Sequence, residues 1–106
     1  VYKRQMVGTA FYSNQVFTTG KWYHVVGTFN TSGVANLYIN GVLDSSNNVT
    51  AGSFPTICTA PIIVGDYGAG NYPSASRLTI AKIYNRDLSA SEIKQNFNAI
   101  RGRYGI

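Results

Sequence analysis

Four carboxylic acids, one histidine and one cysteine are the residues of this 106-residue chain that could carry proton-transfer, nucleophilic or thiolate-metal chemistry. Glycoside hydrolysis needs two carboxyl groups flanking the bond to be cut. The acids are Asp44, Asp66, Asp87 and Glu92. Asp44 stands at the exit of a hairpin pattern and Asp87 in a turn ahead of a helical one. Glu92 follows Ser89 by three, the spacing of a capping box, so its carboxylate has a structural use. A Ser-His-Asp arrangement has only His24 to draw on, and His24 lies in a strand-like run where a packing role is the simpler reading. Cys58, in "PTICTAPIIV", has no partner for a disulfide within the chain or for a thiolate metal site, and reads as a small buried apolar residue. We therefore expect no catalytic residues and no enzymatic activity.

One stretch has the composition of a binding loop. Sugar recognition uses an aromatic face with a few amide or carboxyl groups for the hydroxyls. "GDYGAGNYP" offers Asp66, Tyr67, Asn71 and Tyr72 in a Gly-rich segment long enough for a functional loop. Loop tyrosines serve protein interfaces equally well, because they give large contact area at low entropic cost. The two readings, glycan contact and contact with a neighbouring subunit, both stand on the residues. Calcium takes six to eight oxygens, several of them carboxylate. Asp66 with Asn71 and nearby carbonyls supplies a single acid, a poor set. The expected cofactor is none, with Ca2+ near Asp66 the weak exception.

Composition limits the partners. Hydrophobic residues make up 44% and charged residues 12%, against a usual charged share of about 25%. Aromatics at 13% set the chain apart from disordered segments. Gly, Asn, Ser, Thr and Tyr are abundant, as in extracellular and virion-surface β proteins. The net charge of +5 comes from scattered basic residues. Nucleic-acid binding would need a basic stripe and a recognisable module, so no nucleic-acid partner is expected; an acidic subunit or an anionic glycan is the alternative partner for this charge. No apolar run approaches the ~18 residues of a membrane span, and no signal peptide is seen, so membrane insertion is not expected. The chain opens inside a strand-like pattern at Val1, which points to a natural start upstream. Asn30-Thr31-Ser32 and Asn48-Val49-Thr50 match the N-glycosylation acceptor, a pattern that arises by chance in a chain this rich in Asn and Thr.

The elements that must position these groups are short strands. Residues 1–20 are weakly β-prone up to Thr18-Thr19-Gly20. "WYHVVGTF" (22–29) is rich in β-branched and aromatic residues and reads as a strand. "NTSG" is loop chemistry. "VANLYI" (34–39) alternates, with Ala35, Leu37 and Ile39 on one face. Asn40-Gly41 then marks a type I′ turn, in which both central residues need positive φ. A short strand "VLD", a polar connection over 44–53, a buried strand over 61–64 and an alternating strand over 77–84 follow; the 80-to-83 spacing in the last suggests a bulge. "DLSASEIKQNFNAI" changes period. Ile93, Phe97 and Ile100 lie at helical spacing behind the Ser89/Glu92 box, predicting a helix from Ala90 to Ala99 ended by Gly102. Trp22, Val25, Phe29, Leu37, Ile39, Ile80, Ile93 and Phe97 are the expected core. Many short strands with one late helix predict an all-β, antiparallel jelly-roll β-sandwich with a short C-terminal α-helix packed on the sheet, residues 1–106 forming one domain.

These residues resemble a known family. "KWYHVVGTFN…VANLYINGVLD" is similar to the central hairpin of the concanavalin A-like lectin/glucanase superfamily in its laminin G-like branch. "IIVGDYG" resembles a strand end of that family, and "LTIAKIYNRDLSASEIKQNFNA" its closing strand and "Y-N-R-x-L-S-x-x-E-I" segment. The likeness covers residues 20–100, and the ending "NFNAIRGRYGI" resembles the C-termini of such domains in phage structural proteins. The E-x-D-x-E strand motif of the glucanase members is absent. Fewer strands precede Trp22 than a whole domain of the family has, so the chain reads as an N-terminally incomplete domain or as one whose neighbours complete the sheet. The resemblance implies a concanavalin A-like fold and a non-enzymatic virion structural or adhesion module, on a virion surface or outside the cell, within an oligomeric assembly. The alternative it implies is a carbohydrate-binding module of a larger secreted or cell-surface protein.

Overall fold

The computed structural model describes residues 4–6, 9–11, 13–48 and 75–106. The chain divides into two units, Val1–Phe54 with Asn85–Ile106, and Pro55–Tyr84. In the first, β1 (Arg4–Met6) pairs antiparallel with β2 (Thr9–Phe11) as a short hairpin. The main sheet is β3 (Val25–Phe29), β4 (Val34–Ile39) and β5 (Val42–Asn48), antiparallel with β4 in the centre. Helix α1 (Ala90–Tyr104) closes the described chain. In the second unit the described residues 75–84 form neither helix nor strand. The alternation of "RLTIAKIY" suits a strand, but a strand exists only where a neighbouring backbone pairs with it, and none does so here among the described residues. The strand expected over 61–64, which a second layer of the sandwich would use, lies outside the described residues. The described fold is therefore a three-stranded antiparallel sheet with a helix packed on it.

Local chemistry accounts for each turn. Asn30 donates its N–H to the Val34 carbonyl, while its side-chain oxygen accepts from the Val34 N–H at 2.9 Å. Gly33 supplies the left-handed residue, φ 85°, and links β3 to β4. Asn40 and Gly41 join β4 to β5 with φ of 51° and 77°, the signs a type I′ turn requires. Direct pairing then sets the faces: Val25, Ile39 and Val42 are cross-strand neighbours on one, and Val26, Tyr38 and Leu43 belong to the other. A β-bulge falls in β5 between the pairs Tyr38/Leu43 and Leu37/Ser45, so that Asp44 is the extra residue.

The helix reads the second face. Tyr38, Leu88 and Ile93 form a buried cluster, with Val26 packed against it. The His24 ring stacks on Phe97 at 5.9 Å and the Trp22 ring meets Tyr104 at 5.3 Å. Trp22 and His24 of the lead-in alternate with Val26 of β3 along one face, while Ile93, Phe97 and Tyr104 lie on one stripe of α1, so the two periods match side chain to side chain. Ala35, with Phe29 and Leu37 packed against it, forms a smaller cluster from the opposite face. Val25, expected in the core, is 44% exposed. It stands at the start of β3, an edge strand of the sheet, paired with the buried Ile39 of the central strand β4.

The helix is longer than its sequence signals indicated. It begins at the expected N-cap, with Ser89 accepting from the Glu92 N–H and the Glu92 carboxylate reaching back to the Ser89 N–H. It runs through Gly102 and ends at Gly105, whose φ of 65° is left-handed. The N–H groups of Gly105 and Ile106 both donate to the Arg101 carbonyl, the bonds of a glycine-terminated helix. Both glycines satisfy the stop rule by type, and only the backbone conformation separates them.

A glycine pair provides the test of this packing. A Cβ on Gly41 would stand 3.0 Å from both Lys94 Cδ and Phe97 Cδ1 and 3.2 Å from Phe97 Cβ, while one on Gly102 would meet nothing within 4 Å. Gly41→Ala should therefore lose at least about 2 kcal/mol through left-handed strain and overpacking. Gly102→Ala should gain about 1 kcal/mol from helix propensity. Urea melts of the two variants beside the parent chain check both signs.

Candidate functional site

Asp66, Tyr67, Asn71 and Tyr72 lie outside the described residues, as do Cys58 and the possible Ca2+ position. The structure instead describes what the other chemically capable groups do. Asp44, pushed out of the β5 ladder by the bulge, accepts from the Asn14 N–H at 2.7 Å and the Gln15 N–H at 3.2 Å. The Asn14 side-chain amide returns a bond to the Asp44 carbonyl at 2.8 Å. Asp44 is thus a clamp that fastens the incoming chain to the sheet. Bulges commonly re-aim a side chain in this way. The sequence marked Asp44 as a hairpin exit and gave no sign of its partners.

Glu92 is committed as fully. Its carboxylate forms an ion pair with the Arg86 guanidinium through both oxygens and accepts from the Ser89 hydroxyl at 3.1 Å. The Arg86 guanidinium, followed by the Ser89 hydrogen bonds, lowers its pKa from 4.5 to about 2, against a smaller opposing effect of desolvation. A general acid needs the opposite shift. The capping box was legible in the sequence, and the Arg86 fork was not; "NRDLSASE" places Arg86 six residues ahead, across a turn whose shape only the fold supplies.

His24 is likewise structural in its surroundings. Its N–H donates to the Asn40 side-chain oxygen at 2.9 Å and its carbonyl accepts from the Asn40 N–H at 2.8 Å. Its ring forms one side of a stack whose other member, Phe97, also carries Lys94 Nζ at 5.5 Å and the Arg101 guanidinium at 5.1 Å from the ring centre. Strand lead-in, hairpin turn and helix meet at this point. Nearby in sequence, Phe17 and Tyr23 pack edge to face at 4.7 Å, with the Tyr23 hydroxyl held by the Thr18 N–H and hydroxyl. Those Thr18 bonds lower the Tyr23 pKa. Among the described residues no group of three or more His, Cys, Asp or Glu side chains could hold a metal ion, and no helix is long and apolar enough to cross a membrane.

The hairpin, the turn and the cap on which the family resemblance rested are therefore real elements in mutual contact. Residues 3–94 match the family model Laminin_G_3, of the concanavalin A-like lectin/glucanases superfamily. The chain belongs to this superfamily. No curated protein matches the chain. A similar solved structure is that of an S-layer domain-containing protein from Clostridium thermocellum, with a TM-score of 0.63 and 29% sequence identity. The superposition covers 84% of this chain and 45% of that one, so the chain spans less than half the length of the solved domain. The three-stranded sheet and its C-terminal helix are consistent with the superfamily fold.

Two outcomes follow from the clamps. Asp44→Ala should cost about 1 kcal/mol, the usual net value of a hydrogen bond, and should speed amide exchange at Asn14 and Gln15 while leaving α1 protected; hydrogen exchange resolved by residue reads both. Glu92 has a folded pKa below its ordinary value, so the stability it contributes is present above about 4.5 and is lost as pH falls toward 2. Denaturant midpoints measured from pH 6 to pH 2 should show this loss in the parent chain and a flatter profile in Glu92→Gln.

Proposed function

We propose that this chain is a non-catalytic, lectin-like binding module of an extracellular or cell-surface protein, with carbohydrate as its ligand class. The observation that carries the reading is membership of the concanavalin A-like superfamily through residues 3–94. The likeness to an S-layer domain-containing protein supports a cell-surface setting and favours it over a virion component. The chemistry of the acids agrees: Asp44 and Glu92 carry hydrogen bonds that hold the fold, and Glu92 is shifted away from proton donation.

Within this reading the glycan contact is the 65–76 loop, with Tyr67 and Tyr72 offering aromatic faces and Asp66 and Asn71 binding hydroxyls. A neighbouring subunit is the competing occupant of the same loop. The test is a glycan array read with the parent chain and with Tyr72→Ala, beside thermal melts of both. Loss of glycan signal at an unchanged Tm is expected. Parent chain that binds no glycan, or a variant that loses folding or assembly instead, would reject the glycan reading in favour of packing.

A further inference from the structure

Residues 77–84, "RLTIAKIY", form a loosely held joint between the two units of the chain. They belong to no helix or strand, and no backbone hydrogen bond ties them down among the described residues. All of them but Ile80 are exposed. Leu78 is 62% and Ile83 70% exposed, although both are apolar. The second unit ends at Tyr84, and the first resumes at Asn85. Exposed backbone at such a boundary, with burial and hydrogen bonding both lacking, is where chains are nicked.

The basic residues decide what kind of protease could cut here. No Lys or Arg stands between Lys21 and Arg77, and the joint carries Arg77 and Lys82, both exposed. The other described bases sit on held backbone. Arg4 lies in β1. Lys21 leads into Trp22, whose ring packs on Tyr104, and the Thr18 bonds to Tyr23 brace the turn before it. The Arg86 guanidinium is engaged by Glu92. Lys94, Arg101 and Arg103 lie in α1, whose hydrogen bonds must open before its backbone can enter a cleft. A protease takes its substrate in an extended form, and the β-branched and aromatic residues of the joint favour that form. Of its two bonds, Lys82–Ile83 stands in the longer exposed run, residues 81–87.

We infer that the Lys82–Ile83 bond, with Arg77–Leu78 as a second site, is a processing site for an endopeptidase that cuts after a basic residue. The specificity pocket of the protease takes the Lys82 ammonium. Water adds across the amide, and the products are a carboxylate at Lys82 and a new amino group at Ile83. The cut spares the fold, because none of the described contacts that hold α1 belongs to the joint. The Ser89/Glu92 box and the Arg86 ion pair lie downstream of it. Val26 and Tyr38 still meet Leu88 and Ile93 across the break, and Phe97 keeps its seat on Gly41 and His24. The product is a two-chain module in which packing alone retains α1. Processing at this bond is independent of what the 65–76 loop binds.

The probe is trypsin, added at a low ratio to the native folded chain, with the products followed over time by intact mass. The bond after Lys82 should break first and that after Arg77 next. Each should break at least about tenfold faster than the bonds after Lys21, Lys94, Arg101 and Arg103, which need local opening. Digestion should then stall. The fragment ending at Lys82 and the one beginning at Ile83 should elute together from a sizing column, with the helical circular dichroism of the uncut chain. Arg77→Gln/Lys82→Gln should stay whole over the same time at an unchanged Tm. A double variant that unfolds is replaced by Lys82→Gln alone, in which cleavage should move to Arg77–Leu78. First cleavage after Lys21 or within α1, resistance of both bonds of the joint, a folded double variant cut as fast as the parent, or a cut chain that loses its helix overturns the inference.

Discussion

The packing of Phe97 onto the Asn40–Gly41 turn is the constraint on which the rest of the described structure depends. The turn has two requirements that coincide in one residue. Its backbone needs positive φ at Gly41, and the helix approaches so closely that a Cβ there would press on Lys94 and Phe97. Asn40 answers the other side of the junction, holding the N–H and carbonyl of His24 with its own side chain and N–H. His24 in turn presents its ring to Phe97. A helix of this length is marginal by itself in water, so its stability comes from this seat and from Ile93 and Tyr104 along the same stripe. The hairpin and the helix thus pack together, although about forty residues of sequence separate β5 from α1.

Around that junction the polar groups are arranged to hold chain segments. The bulge in β5 turns Asp44 outward to take the amides of Asn14 and Gln15. Arg86 and Ser89 grip Glu92 and fix the start of the helix. The Arg86 guanidinium stabilises the charged form of Glu92, which suits a scaffold and opposes acid catalysis. The basic residues are treated differently. Arg86 is paired, whereas Lys94 and Arg101 are held over an aromatic ring with their charge facing water.

The family frame gives these details a setting. The sheet, its turn and its closing helix are the described part of a concanavalin A-like scaffold. The resemblance read from "KWYHVVGTFN…VANLYINGVLD" and from the "YNRDLSASEI" segment led to the same superfamily as the match over residues 3–94. The two segments meet where Val26 and Tyr38 pack with Leu88 and Ile93.

Short-range chemistry in the sequence by itself determined the turn at Asn40-Gly41, the alternation that puts Ala35, Leu37 and Ile39 on one face, and the Ser89/Glu92 helix start. Each of these is settled within a few residues, by φ signs, by strand period or by capping bonds. Tertiary structure decided the rest. Gly102 and Gly105 are the same residue type near the same helix end, and only backbone conformation tells the continuing one from the stopping one. Val25 and Val26 have the same apolarity, and only the tertiary packing of Val26 against Tyr38, Leu88 and Ile93 separates it from the exposed Val25. Asp44 and Arg86 found partners that no local pattern names, because a bulge and a turn had to aim them first. The strand read over 77–84 shows the same limit: an alternating segment carries the propensity for a strand, and a paired backbone, which no sequence period contains, makes it one.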